Sequence, residues 1–475
     1  MNVLIIATNK NAYPMPVMPL GACMVAEAAE RAGHAVRLLD LMFAADPVGE
    51  VNRLIGAHRP EVIGLSVRNI DNNDMRVPAF YIDELAPILK AIRRASPAPV
   101  VIGGAALTVM PEEIMRATGA DIGVLGDGEV VFPLLLARIA AGEGLEGLPG
   151  IAWRENGLIR RNPGARSGFS DQFLAPAYHR LLDVPAYLSQ MATVPVQTKL
   201  GCGFKCVYCT YRKIEGSSYR FSDPAKVAEA VGSLARAGLR DIEFVDSVFN
   251  VPYDHSMQVC DALARKPSGA RLQSLELNPA HFDDQLLTAM ERAGFTAMGM
   301  TVESAADQVL AGLKKGFSAD QVYRAAEIAG RHRLPCIWIF LLGGPGETQA
   351  TVRETLRFAE TRVPRRDVVF FNIGIRVYPG TEIETIARRQ GLLNKPAAEM
   401  LAPVFYVSPE VEGDWMLAEV RRSMRRHMHF INTDTIGFRH LPLIQRGLHR
   451  AGVRPPLWRY TRYIRRSLRI IGMDV

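Results

Sequence analysis

A chain of 475 residues is long for one domain and predicts two or three. With 48% hydrophobic and 22% charged residues it reads as a soluble globular protein, and no apolar run approaches the ~18–20 residues of a membrane span. The start Asn2-Val-Leu-Ile-Ile-Ala7 lacks the basic lead and cleavage site of a signal peptide. The net charge of +7 is uneven: residues 416–475 hold 13 arginines against three acidic residues, so they carry +10 and the rest sums to −3.

Apolar runs at 3–7, 35–39, 62–66, 100–104 and 122–125 read as buried strands, with a helix at 20–32. Strands spaced by helices predict a doubly wound, Rossmann-like parallel α/β sheet over residues 1–150. Such sheets bind ligands beyond the carboxyl ends of their strands. Those ends carry Thr8-Asn9-Lys10, Ser66 to Asn69, Gly103-Gly104 and Gly126-Asp-Gly-Glu129. No G-x-G-x-x-G follows the first strand, so a dinucleotide site has no support. A flavodoxin-like domain without ligand stays open. Residues 148–161 read as a hairpin with Asn156-Gly157 at its turn, and 162–190 are loop-rich, including Ser167. Residues 151–190 are therefore expected to link two domains.

A strand at 193–198 leads into Cys202, Cys206 and Cys209, spaced C-x3-C-x2-C with Tyr208 before the last. The other three cysteines, Cys23, Cys260 and Cys336, lie scattered in apolar stretches as buried small hydrophobes do. Clustered cysteines favour a reducing cytosol and a metal role over disulfides. Three thiolates on one loop can hold three corners of a cubane iron–sulfur cluster, which normally takes four. The missing fourth leaves one iron open. A chance cluster, or a zinc site with a distant fourth ligand, is the plainer alternative.

Further strands are expected at 241–246, 272–277, 297–302, 336–342 and 368–374, with helices at 224–237, 283–293, 305–313, 318–331 and 348–361. This predicts a partial (β/α)6 TIM-like barrel over 191–385, with its chemistry at the carboxyl ends of the strands. Those ends carry Asp246, Asn278, Glu303, Gly343-Gly344, Glu347 and Arg376. Turn chemistry and helix capping are the plainer readings of each. The remainder, 386–475, reads as a helical basic region ending in an arginine-rich amphipathic stretch at 458–471. It fits a lid helix, an anionic membrane surface, an acidic substrate or nucleic acid.

The cysteine loop resembles the signature of the radical S-adenosylmethionine (SAM) enzymes, with Tyr208 at the family's aromatic position. The resemblance implies that Cys202, Cys206 and Cys209 hold a 4Fe-4S cluster whose open iron chelates SAM. It implies that Tyr208, Asp246, Asn278, Glu303, Gly343, Gly344 and Glu347 lie along SAM, and that Tyr378-Pro-Gly-Thr381 closes the barrel. Pro19-Leu20-Gly21, Gly103-Gly104 and Gly126-Asp-Gly-Glu129, placed ahead of the cysteines, resemble the cobalamin-binding domain of many such enzymes. This implies cobalamin contacts at Thr8, Leu20, Gly21, Ser66, Gly103, Gly104, Gly126 and Glu129. The Asp-x-His-x-x-Gly of many cobalamin domains is missing, since neither His34 nor His58 has an Asp two places before it. The implied activity is methyl transfer to an unactivated carbon. An oxidative cyclase of the anaerobic magnesium-protoporphyrin ester type and a non-enzymatic cobalamin-binding regulator are the alternatives. The implied partners are a small-molecule or lipid-like substrate and a flavodoxin- or ferredoxin-type electron donor. A cytoplasmic location is expected, with peripheral membrane contact through the arginine-rich end and no specific nucleic acid.

Overall fold

The computed structural model describes residues 1–164, 168–433 and 441–470; Ser167 of the expected linker and Ile471 of the terminal stretch lie outside them. The first sheet begins with β1 (Asn2–Ala7), β2 (Ala35–Asp40), β3 (Val62–Ser66), β4 (Val100–Gly103) and β5 (Ile122–Val124), parallel and ordered β2-β1-β3-β4-β5. The strands read as apolar runs because helices cover both faces. The helix Leu20–Arg31 follows β1 directly and packs against Gly128–Ala141. Pro47–His58 starts where Asp46 Oδ1 accepts the Gly49 N–H at 2.9 Å, with proline at the first helical position.

The hairpin is real, but it is not part of a bridge. β6 (Ile151–Glu155) pairs antiparallel with β5, and β7 (Leu158–Arg161) pairs with β6, so the sheet has seven strands and runs past residue 150. Burial explains this: Ile151 and Trp153 pack with Val131, Phe132 and Leu135 in the first core.

The second sheet holds β8 (Val194–Val196), then, after a small antiparallel clamp of β9 (Lys199–Leu200) and β10 (Arg220–Phe221), β11 (Asp241–Phe244), β12 (Arg271–Leu277), β13 (Phe295–Glu303), β14 (Cys336–Leu342) and β15 (Val368–Ile373). A second clamp pairs β16 (Ile375–Arg376) with β17 (Phe405–Tyr406), and β18 (Phe430–Asn432) comes last. The order is β18-β15-β14-β13-β12-β11-β8, all parallel. This is the expected partial barrel with one strand more. The seventh comes from the carboxy-terminal region, which is therefore not a purely helical appendage. Its helix Gly413–Arg426 also packs on the barrel, against Gln349–Arg362. A helix at Tyr253–Arg265 completes the β11–β12 crossover and was absent from the sequence expectation.

The two faces of this sheet differ. Trp338, Phe340, Phe371 and Phe430 are fully buried and stack beneath the helices, with Trp338–Phe358 at 6.0 Å, Phe340–Phe371 at 5.4 Å and Phe371–Phe430 at 5.7 Å. Asp367 takes the indole N–H of Trp338 at 3.0 Å and so satisfies the polar atom in that core. Their alternating neighbours Ile339, Phe370 and Ile431 are only half-buried and line the concave side.

The two sheets are joined by polar contacts. Arg376 Nε donates to Asp71 Oδ2 at 2.8 Å, Arg220 Nη1 to Asp127 Oδ2 at 2.6 Å and the Tyr187 hydroxyl to Asp40 Oδ2 at 2.6 Å. The first two pairs are deeply buried.

Candidate functional site

The cysteine loop leaves β9 and returns at β10, so the clamp fixes its ends. Within it Cys202 N–H donates to Gly216 O at 3.1 Å, Cys209 N–H to Cys206 O at 3.2 Å and Val207 N–H to Leu313 O at 3.1 Å. Glu215 Oε2 accepts the Gly201 N–H at 3.1 Å. All three cysteines are free thiols. Burial pushes each above its ordinary value, Cys209 to about 12, so cluster assembly must displace their protons. Among the described residues no three His, Cys, Asp or Glu side chains meet around a single ion. A cubane places each thiolate on a different iron, which suits ligands that do not converge.

Beside the loop stands a buried polar triad. The Tyr208 hydroxyl donates to Glu303 Oε1 at 2.8 Å. Lys315 Nζ lies 2.8 Å from Glu303 Oε2, in an ion pair off the hydrogen-bonding line, and 3.3 Å from the Tyr208 hydroxyl. Glu303 sits at φ +60° where β13 slips register against β14. A non-glycine residue held there marks backbone strain kept for a side chain's position. Lys315 had no sequence signal; it follows a helix end and comes inward only through tertiary packing.

Three of the residues expected along SAM make hydrogen bonds within the protein itself. Asp246 has all its acceptor positions filled: Oδ1 by the Thr198 and Lys199 N–H groups at 2.6 and 3.2 Å, Oδ2 by Thr198 Oγ1 at 2.6 Å and Lys199 Nζ at 2.9 Å. It fixes the chain entering the cysteine loop and has no lone pair left for a ligand. Glu347 accepts from the Gly343 N–H at 3.2 Å and Thr351 Oγ1 at 2.6 Å, so it shapes its own loop. Burial raises its carboxyl to about 7. Asn278 Oδ1 caps the short turn after β12 through the Ala280 N–H at 2.8 Å. Polar side chains at strand ends are drawn to nearby orphan backbone groups, and that competition decided these cases. Gly343 and Gly344 pack beside Met416 and Leu313.

A cavity of about 530 Å³ lies between the two sheets. Thr8, Leu20, Gly21, Ser66, Gly103, Gly104, Gly126 and Glu129 all line it. So do Gln197, Leu200, Thr210, Tyr211, Glu215 and Tyr378 from the barrel, which sequence reasoning had not gathered. Gly104 is needed for the wall: at φ +100° an added Cβ would fall 2.4 Å from Val67 O. Asn9 lines the cavity, and its Nδ2 is buried without a partner. A wide, glycine-walled chamber with a spare amide donor suits a broad ligand fringed with amides, as cobalamin is. Both histidines sit elsewhere: His58 Nε2 lies 3.1 Å from Val3 O and Ala35 O, and His34 Nδ1 3.4 Å from the amino terminus.

A doubly wound domain, a partial barrel and a three-thiol loop at the mouth between them define an α/β enzyme that couples an iron–sulfur site to a second large cofactor. The family model "Radical SAM superfamily" matches residues 196–359, and "B12 binding domain" matches residues 9–136. The chain belongs to the radical SAM enzymes that carry a cobalamin-binding domain, with a 4Fe-4S cluster, SAM and cobalamin as cofactors. It is 28% identical over 385 residues to an uncharacterised methyltransferase of Pyrococcus horikoshii, covering 79% of each chain. It is 24% identical over 440 residues to tryptophan 2-C-methyltransferase of Streptomyces laurentii, covering 78% of this chain and 72% of that one. The solved structure of the radical SAM methyltransferase TsrM from Kitasatospora setae, with cobalamin and a [4Fe-4S] cluster bound, shares the fold: TM-score 0.85, 22% identity and 99% of both chains covered.

Proposed function

We propose that the chain is a methyltransferase that acts on a small molecule held in the barrel mouth, between the cysteine loop and the interdomain cavity. One observation carries this reading. Thr210 and Tyr211, directly after Cys209, line the cavity, so the loop for the cluster and the chamber for cobalamin share a wall. The relatives named above, tryptophan 2-C-methyltransferase among them, support methyl transfer over cyclisation.

The cofactors supply the methyl group and the reagent that activates the substrate; the protein supplies binding, orientation and exclusion of water. Cys202, Cys206 and Cys209 would hold the cluster. Tyr208, Glu303 and Lys315 would hold the polar end of SAM. Thr8, Asn9, Leu20, Gly21, Ser66, Gly103, Gly104, Gly126 and Glu129 would hold cobalamin. Asp246 and Glu347 act one step back, keeping the loops in place. On this reading the cobalamin unit runs to about residue 161 and the barrel from 191 to 433, the latter including β18.

Reconstituted protein, kept anaerobic and given methyl-labelled SAM with metabolites that accumulate when its gene is deleted, tests the proposal. Label in a product supports methyl transfer; 5′-deoxyadenosine with unlabelled product supports the cyclase route. The Cys206→Ala protein should lose the cluster's visible absorption and SAM cleavage together, since two thiolates do not hold the cubane.

The chain is read as working in the cytoplasm with a flavodoxin- or ferredoxin-type electron donor. Among the described residues no helix is long and apolar enough to cross a membrane. Residues 441–470 contain eight arginines and no acidic residue, and Leu443, Tyr463 and Ile470 are exposed among them. That combination favours peripheral contact with anionic lipid. Flotation with anionic and neutral vesicles checks this; equal recovery with both would end it.

A further inference from the structure

The carboxylates on the concave side of the second sheet are engaged, with one exception. Glu243 accepts from Thr193 Oγ1 at 2.6 Å and from Gln273 Nε2 at 2.7 Å. Glu303 has Tyr208 and Lys315. Glu276, at the carboxyl end of β12, is the exception: its carboxylate has no hydrogen bond or ion pair among the described residues.

Its placement is built into the fold. β12 slips register against β13 between Ser274 and Leu277, and such a bulge re-aims the side chains within it. Gly299 on β13 permits the bulge, because a Cβ there would lie 2.5 Å from Leu275 O. Glu276 thereby joins Glu243 and Glu303, whose charges act on it, while Lys315, the cation that opposes them, is already paired with Glu303. It is half-buried, so its carboxylate is neither sealed in the core nor fully open to solvent. Burial and these two carboxylates raise its carboxyl to about 8. The same face holds two more spare acceptors, the buried Oε1 of Gln273 and the Oδ1 of Asn372. Beside them run Ile339, Phe370 and Ile431, consecutive across the ladder, half-buried and outside every packed core. That face thus offers acceptors and an apolar wall; of the cations near it, Lys315 is paired with Glu303, and Arg68, whose charge acts on Glu243, lines the interdomain cavity.

We propose that this concave face is the substrate chamber and that Glu276 selects a substrate bearing an amine on an apolar body, the ammonium meeting Glu276 and the body lying on Ile339, Phe370 and Ile431. This rests on the methyltransferase reading above and names its substrate class. A buried ion pair with a ligand discriminates strongly against an uncharged isostere, which leaves the carboxylate unpaired.

Binding to the holoenzyme tests it, with tryptamine against tryptophol and phenethylamine against 2-phenylethanol, by calorimetry in the absence of oxygen. The wild-type protein should prefer each amine by at least about tenfold. Glu276→Gln should abolish the preference and Glu276→Asp should keep part of it, with SAM affinity within about twofold in both, as expected of a residue that meets only the substrate. The visible spectra of cluster and cobalamin establish that each variant is folded and loaded. Equal binding of amine and alcohol by the wild-type protein, or no binding of either amine, overturns the proposal. So does a loss of SAM affinity in Glu276→Gln as large as the loss for the amine, which would assign the carboxylate to SAM. Labelled methyl transfer without amine preference sinks this inference alone. Amine preference that Glu276→Gln removes, in an enzyme that transfers no methyl, sinks the methyltransferase reading alone.

Discussion

Glu303 sits at φ +60° with its carboxylate between Tyr208 and Lys315, and all three meet beside Cys206 and Cys209. Replacing it by glutamine keeps the shape and removes the charge, leaving a buried ammonium unpaired. Breaking one partner of a buried pair costs about 3–5 kcal/mol. Glu303→Gln should therefore lower the unfolding free energy by that order, read by denaturant titration, and weaken SAM binding in parallel. Glu276 makes the opposite prediction. Its carboxyl moves from 4.5 to about 8 on folding, so the fold favours the protonated form. The associated stability is complete below pH 4.5 and is lost as the pH rises towards about 8. Glu276→Gln removes the ionisation, so the variant apoprotein should match wild type near pH 5 and melt higher than wild type near pH 9. Equal melting temperatures at both pH values would contradict this. The two carboxylates stand on neighbouring strands and differ only in whether a partner arrives.

At the scale of elements, what was legible followed from how each element is buried. The parallel strands read clearly because both their faces are covered and their sequences are apolar runs, as in Val100–Gly103 and Cys336–Leu342. The helix Tyr253–Arg265 was missed because its apolar positions are diluted by Asp254, His255, Gln258 and Asp261. The hairpin β6–β7 was recognised from Asn156-Gly157, yet its place beside β5 was not, since a turn signal says nothing about which edge it will join. β18 is only three residues long and follows a helix rich in arginine, so no window of sequence distinguishes it. Its importance is tertiary: Phe430 is fully buried and closes the aromatic row begun by Trp338. Phe430→Ala should cost about 3–5 kcal/mol, more than an exposed substitution such as Leu443→Ala, measured by chemical denaturation.

Across the whole molecule, the cavity exists only because the two sheets are held together, with strand ends of both contributing to its wall. Arg376 does much of this. Its guanidinium donates to Asp71 Oδ2 and to the carbonyls of Val377, Met400 and Leu401, and it stacks 4.6 Å from the Tyr378 ring centroid. Tyr378 in turn lines the cavity and donates from its hydroxyl to Asn73 Oδ1 at 2.9 Å. Asp71→Ala should lower stability by about 3–5 kcal/mol because the buried guanidinium loses the carboxylate it pairs with. Cobalamin affinity should fall with it, while cluster content, fixed by the loop between β9 and β10, stays near normal. Loss of both cofactors together would show that the two units do not hold their sites separately.

The sequence by itself determined the cysteine loop, the strand and helix rhythm, and the first domain's share of the cavity wall. Each of these depends on short-range features: the spacing of three thiols, apolar runs, and glycines at strand ends. Only the tertiary structure decided which carboxylates are spent and which are free. Asp246 is claimed by Thr198 and Lys199, nearly fifty positions earlier, Asp71 by Arg376, 305 positions away, and Glu276 by nothing among the described residues. A carboxylate's role is set by whatever folding brings within about 3 Å of it, and local sequence does not encode that distance.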